Sequence, residues 1–301
     1  MHRKNHIRET RGDKVFRIVN TTLVTILLLL VLYPLVYVLS CSVSDPLLVG
    51  SGQVWLWPRG LNILGYKRVF QDAGILTGYG NSLFYAVVGT VIDLVVTVPA
   101  GYALSRNGLP GRAAIMGFFM FTLYFSGGMI PSFLLIKGLG LYDTRAVLLI
   151  LGAFSTYNCI ICRTFFAGIP KELEEAASID GCPPIRCFVQ IILPISQALL
   201  GVMVLYFAVG HWNSYFNAMM YTHRDSLKPL QLVLRKILVL AQSSADMMEG
   251  GTSDEYAAEQ YQLAALIRYA VIVVSSLPVL ILYPFLQKYF DQGVMIGSVK
   301  G

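Results

Sequence analysis

Few residues of this sequence have the spacing of a catalytic or metal-binding site. The 301 residues include five cysteines and four histidines. Cys159 and Cys162 have the C-x-x-C spacing of redox and metal sites, but they lie within an apolar run and have no second ligand pair at a matching spacing. The histidines form no HExxH or similar pair. We therefore predict no catalytic residue and no metal site, and we expect the cysteines to be small apolar packing groups.

A different chemistry is available where aromatic, amide and hydroxyl groups occur together late in the chain. Aromatic faces stack on sugar rings, and amides and hydroxyls bond to sugar hydroxyl groups. The group comprises Tyr206, His211, Trp212, Asn213, Tyr215 and Asn217. An interfacial belt of aromatic residues, which membrane proteins carry, accounts for the same cluster. The sequence leaves both interpretations, a solute path and a belt, open.

The composition determines which elements can position these residues. Hydrophobic residues make up 55% of the chain and charged residues 13%, and the mean hydropathy is +0.63. Soluble domains contain about 25% charged residues, so this chain has too few charges to cover a water-exposed globule. This excludes a soluble enzyme, a disordered chain and a secreted disulfide scaffold. It predicts an all-α integral membrane protein whose partner is the lipid bilayer, with no nucleic-acid partner.

Six apolar stretches are long enough to cross a bilayer core, which needs about 20 mostly apolar helical residues. They cover residues 17–40, 80–104, 113–136, 146–168, 187–210 and 266–287. The first is too long for a cleaved signal peptide, and no small-residue cleavage pattern follows it. Prolines interrupt most of the stretches. They predict kinks or span ends at Pro34, Pro99, Pro131, Pro194 and Pro278.

The orientation follows from the basic residues of the short loops, which collect on the cytoplasmic side. Residues 1–17 contain six Lys or Arg, whereas the longer segment 41–79 contains three. We therefore predict a cytoplasmic N-terminal segment over 1–16 and, after six spans, a cytoplasmic tail over 291–301. The same count places the loop 169–186 in the cytoplasm.

The longest predicted loop, 211–265, falls outside the cell by this count. It is basic at its start and acidic later, and the stretch Ala245–Glu259 has no clear periodicity. We interpret that stretch as a mobile loop and expect the longer loop to meet an extracytoplasmic partner.

Asp93 is the one acidic residue deep within a predicted span. An isolated carboxylate in a membrane is costly, so such a group has a functional or a paired role by default. Asp93 can belong to the solute path or can form a structural hydrogen bond between helices.

The predicted cytoplasmic loop between the fourth and fifth spans has the signals of a short helix over 171–181. Pro170 suits the first helical position, and three glutamates in the first turns suit the positive end of the helix dipole. Gly181 can take the left-handed cap, and Pro183-Pro184 prevents continuation. A helix of about ten residues is marginal in water, so it must pack against a surface.

The faces of this helix indicate what that surface is. One stripe at three- and four-residue spacing consists of Leu173, Ala176, Ala177 and Asp180. The adjacent alanines have little bulk, so a partner can approach closely. The helix is acidic, which opposes contact with anionic lipid headgroups. We therefore expect a protein groove as the partner.

The same segment resembles a motif of a known family. Glu175-Ala176-Ala177-x-x-x-Gly181, followed after nine residues by Ile191-x-Leu193-Pro194, resembles the EAA motif of the permease subunits of binding-protein-dependent ABC importers. The resemblance covers residues 75–290, the expected permease domain. Other segments are similar to the maltose-type carbohydrate branch, associated with complex oligosaccharides and polysaccharide fragments: Asn81-Ser82, His211-Trp212-Asn213 and Leu230–Arg235. One departure is Cys182, which replaces a small alanine after the motif glycine.

The resemblance implies the type I ABC importer permease fold and a transport subunit that is not itself an enzyme. In that family the motif forms a coupling helix that docks on an ATP-hydrolysing subunit. The residues implied in this docking are Leu173, Glu175, Ala176, Ala177, Asp180, Gly181, Ile191, Leu193 and Pro194. The implied partners are a dimer of ATP-binding subunits, a second homologous permease subunit and an extracytoplasmic solute-binding protein, at a bacterial cell membrane.

The energy for transport must come from a partner. The sequence has no GxxxxGK[ST] phosphate loop, so we expect no cofactor of its own and ATP bound by the partner subunit. We expect closure of the ATPase dimer to move the helix 171–181 as a rigid lever and to swing the fourth and fifth spans.

Three alternatives stay open. A secondary transporter or channel would carry several intramembrane ionisable residues, of which Asp93 is the one example here. A membrane-embedded enzyme needs clustered acid, base or metal groups, and His211 and His223 lack evident partners. An ABC importer can also carry amino acids, phosphate or metal. The sequence does not identify which saccharide would be carried.

Overall fold

The computed structural model describes residues 10–249, 267–282, 284 and 287. Across those residues the backbone forms helices and no strand, as the all-α class predicts. The first helices are α1 (Arg11–Ser42), α2 (Pro46–Gly50), α3 (Leu64–Gln71), α4 (Ala73–Ser105), α5 (Arg112–Tyr124), α6 (Met129–Gly138), α7 (Arg145–Ile150) and α8 (Thr156–Ala167). They are followed by α9 (Glu172–Ile179), α10 (Pro184–Cys187), α11 (Leu193–Ile195), α12 (Gln197–Trp212), α13 (Phe216–Tyr221), α14 (Leu230–Glu249) and α15 (Ile267–Leu282). The predicted tail 291–301 and residues 1–9 lie outside the described residues.

Two helices are long and apolar enough to be single membrane spans, α1 with 32 residues and α4 with 33. They contain the predicted spans 17–40 and 80–104. The side chain of Asp72 caps α4 by accepting the backbone N–H groups of Gly74 and Ile75. Pro34 and Pro99 lie inside these helices, which continue beyond them, so neither proline ends a span.

Other predicted spans are interrupted, and the breaks do not fall at the prolines. The span 113–136 consists of α5 and α6, which are bent by 115°, and Gly128 at the break has a φ of +85° that favours glycine. The span 187–210 is bent by 85° at Ser196, just after a π-helical turn over Phe188–Ile192. Counting each bent pair as one span gives up to four spans among the described residues.

The remaining two predicted spans are also shorter than expected. The span 146–168 is divided between α7 and α8, and Ser155 caps α8 by accepting the N–H of Asn158. The span 266–287 contains α15, which is described over Ile267–Leu282. Six spans therefore stay a prediction that helix lengths alone do not establish.

The predicted loop over 211–265 contains helices, which corrects the sequence interpretation. It includes α13 and α14, and α14 continues to Glu249, so Ala245–Glu249 is helical. Leu230 and Leu234 are buried, one helical turn apart, which explains why this segment folds as a helix. The rest of the stretch Ala245–Glu259 lies outside the described residues.

The chain divides into two compact units, the first of which comprises residues 1–71 and 237–274. Among its described residues, Cys41, Val49 and Val54 form a small buried cluster against Tyr37 and Tyr269.

The second unit comprises residues 72–236 and 275–301 and contains the described candidate site residues. Its core lies where α4, α8, α12 and the π-helical turn meet and includes Val98, Cys162, Phe166, Ile192, Met203 and Phe207. Cys159 and Cys162 are free thiols with almost no exposed surface, so they pack as apolar groups.

Candidate functional site

The predicted cytoplasmic helix is α9, which is shorter than the expected 171–181. Pro170 does not begin it: the helix starts at Glu172, and the Lys171 carbonyl accepts the first N–H groups, from Glu174 and Glu175, at 3.0 Å each. At its other end the N–H of Gly181 bonds to the Ser178 carbonyl at 3.1 Å. The N–H of the next residue, Cys182, bonds to the carbonyl five residues back at 2.9 Å. These two bonds form a Schellman motif, and the φ of +73° at Gly181 confirms its left-handed cap.

The two faces of α9 have different environments. Ala177 is buried and belongs to the same core as Phe166 and Phe188. The opposite face is exposed, and Ile179 keeps 86% of its surface accessible. Glu175 and Ala176 are exposed as well. Ala177 therefore packs against its own chain, and of the stripe predicted to contact a partner only Leu173, Ala176 and Asp180 are exposed.

Glu174, which sequence reasoning did not select, ties α9 to the end of α4. Its Oε1 atom lies 2.7 Å from Nη1 of Arg106, the residue that follows α4, and accepts a hydrogen bond from the Tyr102 hydroxyl at 3.2 Å. The Arg106 guanidinium lies 4.7 Å from the centroid of the Tyr102 ring. It also donates to the carbonyl of Phe166, near the end of α8, at 3.0 Å. The signal available in the sequence was a basic residue at the end of a predicted span on the same side as the acidic helix.

The second half of the motif lies just before the bend in the fifth predicted span. Ile191 and Leu193 are partly buried and pack against the core that contains Ala177. Pro194 is exposed, two residues before the break at Ser196. The two halves of the motif therefore meet through one hydrophobic core.

The structure brings together two residues considered for the solute path. Nε2 of His211 in α12 lies 2.8 Å from Oδ2 of Asp93 in α4, and the two residues are 8% and 2% exposed. His211 therefore has the partner that the sequence did not reveal. A Cβ atom added at Gly89 would collide with the His211 ring, and one added at Gly152 would lie 3.0 Å from it, so the imidazole is tightly enclosed.

The other candidates for the solute path differ from this pair in their burial or their contacts. Trp212 is buried, donates from Nε1 to the carbonyl of Ser275 at 3.0 Å and contacts the Tyr79 ring edge to face. Tyr206 and Asn213 are exposed. Tyr215 is exposed as well, and Asn217 is partly buried. The six residues therefore differ in burial, and the two buried ones, His211 and Trp212, have polar partners within the chain.

Polar side chains near the start of α4 hold the segment that leads into α14. The amide of Asn81 donates to the carbonyls of Ser226 at 2.8 Å and Lys228 at 3.1 Å. The Leu230 N–H donates to the Ser82 hydroxyl at 2.8 Å, and the Tyr85 hydroxyl donates to the carbonyl of residue 227 at 2.9 Å. The segment 226–230 therefore has a fixed position against α4.

A second connection holds the residues just before that segment. The carboxylate of Asp143 accepts the backbone N–H groups of Arg224 at 3.0 Å and His223 at 2.8 Å. It also accepts Nε of Arg224 at 2.9 Å. These bonds, chiefly those from the Arg224 and His223 backbone, hold the pKa of Asp143 below its usual value.

Comparison with known proteins gives consistent results. Residues 73–224 match the family described as binding-protein-dependent transport system inner membrane component. The chain is 36% identical over 298 residues to protein LplC of Bacillus subtilis, with 98% of each chain covered. It is 36% identical over 274 residues to the polygalacturonan/rhamnogalacturonan transport system permease protein YtcP of the same species, covering 91% of this chain and 94% of that one. It is also similar to a chain in the crystal structure of a bacterial ABC transporter involved in the import of the acidic polysaccharide alginate, with a TM-score of 0.82, 35% identity and coverage of 94% and 99%.

Proposed function

The chain belongs to the family of binding-protein-dependent transport system inner membrane components, and we propose that it is the permease subunit of an ATP-driven importer for oligosaccharides or polysaccharide fragments. It has the type I ABC permease fold and is a protein of the bacterial plasma membrane. As a transport permease subunit it is not itself an enzyme. The proposal rests on α9, the helix that contains the first half of the motif. One face of this helix packs against its own chain, and the other face is exposed.

The proposed membrane topology has six spans and cytoplasmic termini. The long helices α1 and α4 and the two bent helix pairs support it. In this topology residues 17–40 form the first span, 75–290 contain the permease domain, and α9 lies on the cytoplasmic side. The partners are then a dimer of ATP-binding subunits, a second homologous permease subunit and an extracytoplasmic solute-binding protein.

The proposed mechanism is alternating access driven by α9. ATP closes the ATPase dimer, and α9 moves with it as a rigid body because its Schellman cap fixes the exit of the chain. Ala177 and Ile191 share one core, so movement of α9 reaches the helices on both sides of it. The exposed residues Leu173, Glu175 and Ala176 are the proposed contacts with the ATPase.

The proposed cargo class is carbohydrate. The names of the similar proteins refer to polygalacturonan, rhamnogalacturonan and alginate, all polysaccharides. The exposed side chains Tyr206 and Asn213 offer stacking and amide chemistry for such a cargo. Asp93, His211 and Trp212 are proposed to position the helices that line the path.

The test is uptake by the intact complex. The tagged chain is purified from its native membrane with its associated subunits and placed in proteoliposomes with the binding protein and a labelled oligogalacturonate. We expect uptake that needs ATP and survives an uncoupler. Uptake that survives ATP depletion but is abolished by an uncoupler would instead indicate a secondary transporter.

A further inference from the structure

We propose that Glu174 is a positioning residue that, through Arg106, passes the movement of α9 directly into α4. The inference rests on the proposed function. It adds a second route by which movement of α9 reaches the membrane spans, besides the direct chain connection from α9 into the fifth predicted span. Sequence reasoning assigned the docking contact to Glu175, one residue further along. The structure gives the two neighbouring glutamates different environments, since Glu175 is exposed and Glu174 is paired.

Contacts with the rest of the chain hold α9 in place. A helix of eight residues has little stability of its own, so its contacts fix its position. Within the part of the chain that the structure describes, Glu174 is the only side chain of α9 with a polar contact to another helix. Ala177 offers one buried methyl group, which resists sliding weakly. The orientation of α9 relative to α4 therefore depends on Glu174.

The partner of Glu174, the Arg106 guanidinium, is itself held in place. The Arg106 guanidinium is fixed on three sides, by Glu174, by the Tyr102 ring and by the Phe166 carbonyl. The side chains of Arg106 and Glu174 are only 21% and 22% exposed. A pair at this depth is screened less by solvent and salt than a surface pair. Displacement of the carboxylate therefore acts on a guanidinium that the Tyr102 ring and the Phe166 carbonyl also hold.

The helix α4 connects Arg106 to a second polar pair. Arg106 follows the C-terminal end of this continuous helix, and Asp93 lies 13 residues earlier, about 20 Å away along the axis. Asp93 binds His211 of α12, and both residues are buried. A shift of the end of α4 therefore reaches α12 through a second buried polar pair. This route connects α9 to α12 without passing through the bend at Ser196.

The experiment measures cargo uptake per ATP hydrolysed, in proteoliposomes that contain the whole complex and labelled oligogalacturonate. Glu174→Arg and Arg106→Glu should each lower this ratio about tenfold, because each leaves like charges facing each other in a partly buried site. The double variant that exchanges the two charges should recover to within about threefold of wild type. Glu172→Gln is the matched control on the same helix, since Glu172 is exposed, and it should match wild type.

A second measurement does not depend on transport. Spin labels at the exposed positions Ala103 and Ser178, in a background without native cysteines, report the distance between α4 and α9. The wild-type distribution should be narrow, and Glu174→Gln should broaden it while Glu172→Gln does not.

The outcomes distinguish this inference from the proposed function. Any of three results would overturn the role of Glu174. The first is a wild-type ratio of uptake to ATP hydrolysis in both charge-reversal variants, and the second is a double variant whose ratio is no higher than that of the worse single variant. The third is a label distance distribution that Glu174→Gln leaves unchanged. A wild-type complex that shows no ATP-driven uptake, together with a label distance that does depend on Glu174, would refute the transport function and leave the positioning contact in place.

Discussion

The His211 imidazole lies against two glycines and one carboxylate, so the site tolerates no added bulk. Gly89 in α4 and Gly152 before α8 approach the ring closely, and Asp93 binds its Nε2 atom. Close packing of this kind makes even one added carbon costly. The two glycines therefore leave room for the His211 ring, and their role is not to make a helix flexible.

This packing predicts the effect of Gly89→Ala. The new methyl group would collide with the His211 ring, so we expect the free energy of unfolding to fall by about 1–3 kcal/mol. Gly80→Ala is the matched control in the same helix, because an added Cβ atom there has no neighbour within 4 Å. It should leave stability unchanged or raise it by up to about 1 kcal/mol. Thermal unfolding of the purified proteins in detergent compares them, and equal melting temperatures would contradict the packing described here.

A second prediction at this scale concerns pH. Hydrogen bonds from the Arg224 and His223 backbone lower the pKa of Asp143 in the folded protein. A carboxyl group with a lowered folded pKa stabilises the fold above its unfolded pKa, near 4, and loses that contribution as the pH falls through the lowered value. Hydrogen exchange at the amides of His223 and Arg224 should therefore lose protection below about pH 4, beyond the intrinsic change in rate. Two results would show that these bonds do not hold the segment. One is amide protection at His223 and Arg224 that does not change with the ionisation of Asp143, and the other is equal protection of these amides in Asp143→Ala.

At the scale of elements, α4 organises the second unit. Its first turns hold the segment 226–230, its middle holds α12 through Asp93, and its end holds α9 through Arg106. One continuous helix thus carries polar contacts to three separate elements. Its length, rather than any single residue, makes these contacts rigid with respect to one another.

The contact between Ser82 and Leu230 gives a prediction for the start of α14. Ser82→Ala removes the acceptor of the buried Leu230 N–H, at a cost of about 1–3 kcal/mol, so amide exchange at Leu227, Lys228 and Leu230 should become faster. Ser132→Ala is the control, because the hydroxyl of Ser132 bonds only to a carbonyl of its own α6 turn. Equal exchange in the two variants would mean that the Ser82 bond does not set the position of α14.

The elements predicted well are those specified by local patterns. Long apolar runs gave α1 and α4, and the acidic run that ends at Gly181 gave α9 with its left-handed cap. The breaks at Gly128 and Ser196 were instead predicted at nearby prolines. The positive φ of Gly128 and the bend at Ser196 after the π-helical turn both depend on packing, which the sequence does not display. The pair of Asp93 and His211 spans 118 residues, and no local rule connects residues so far apart. Glu174 was missed because its partner Arg106 lies far from it in the sequence, just after the predicted span 80–104.

At the scale of the whole molecule, the proposed coupling to an ATPase requires that α9 lies on the cytoplasmic side of the membrane. In the proposed topology, the basic residues assign the N-terminal segment and α9 to the cytoplasm and residues 41–79 to the outside. Ile179 in α9 and Leu61 in the outer segment are both highly exposed apolar residues, at 86% and 82%. They form a matched pair for a test of sidedness and of contact.

The most direct measurement is photo-crosslinking of the intact complex in native membranes, with a crosslinking residue at position 179 or, as the control, at 61. We predict that position 179 forms an adduct with an ATP-binding subunit and that position 61 does not. A cysteine placed at position 179 should react with an impermeant thiol reagent only in inside-out vesicles, and a cysteine at position 61 should react only from the outer face. An adduct with no ATP-binding subunit from position 179, or reaction of that position from the outer face of intact cells, would contradict the central claim that α9 joins this permease to its energy source.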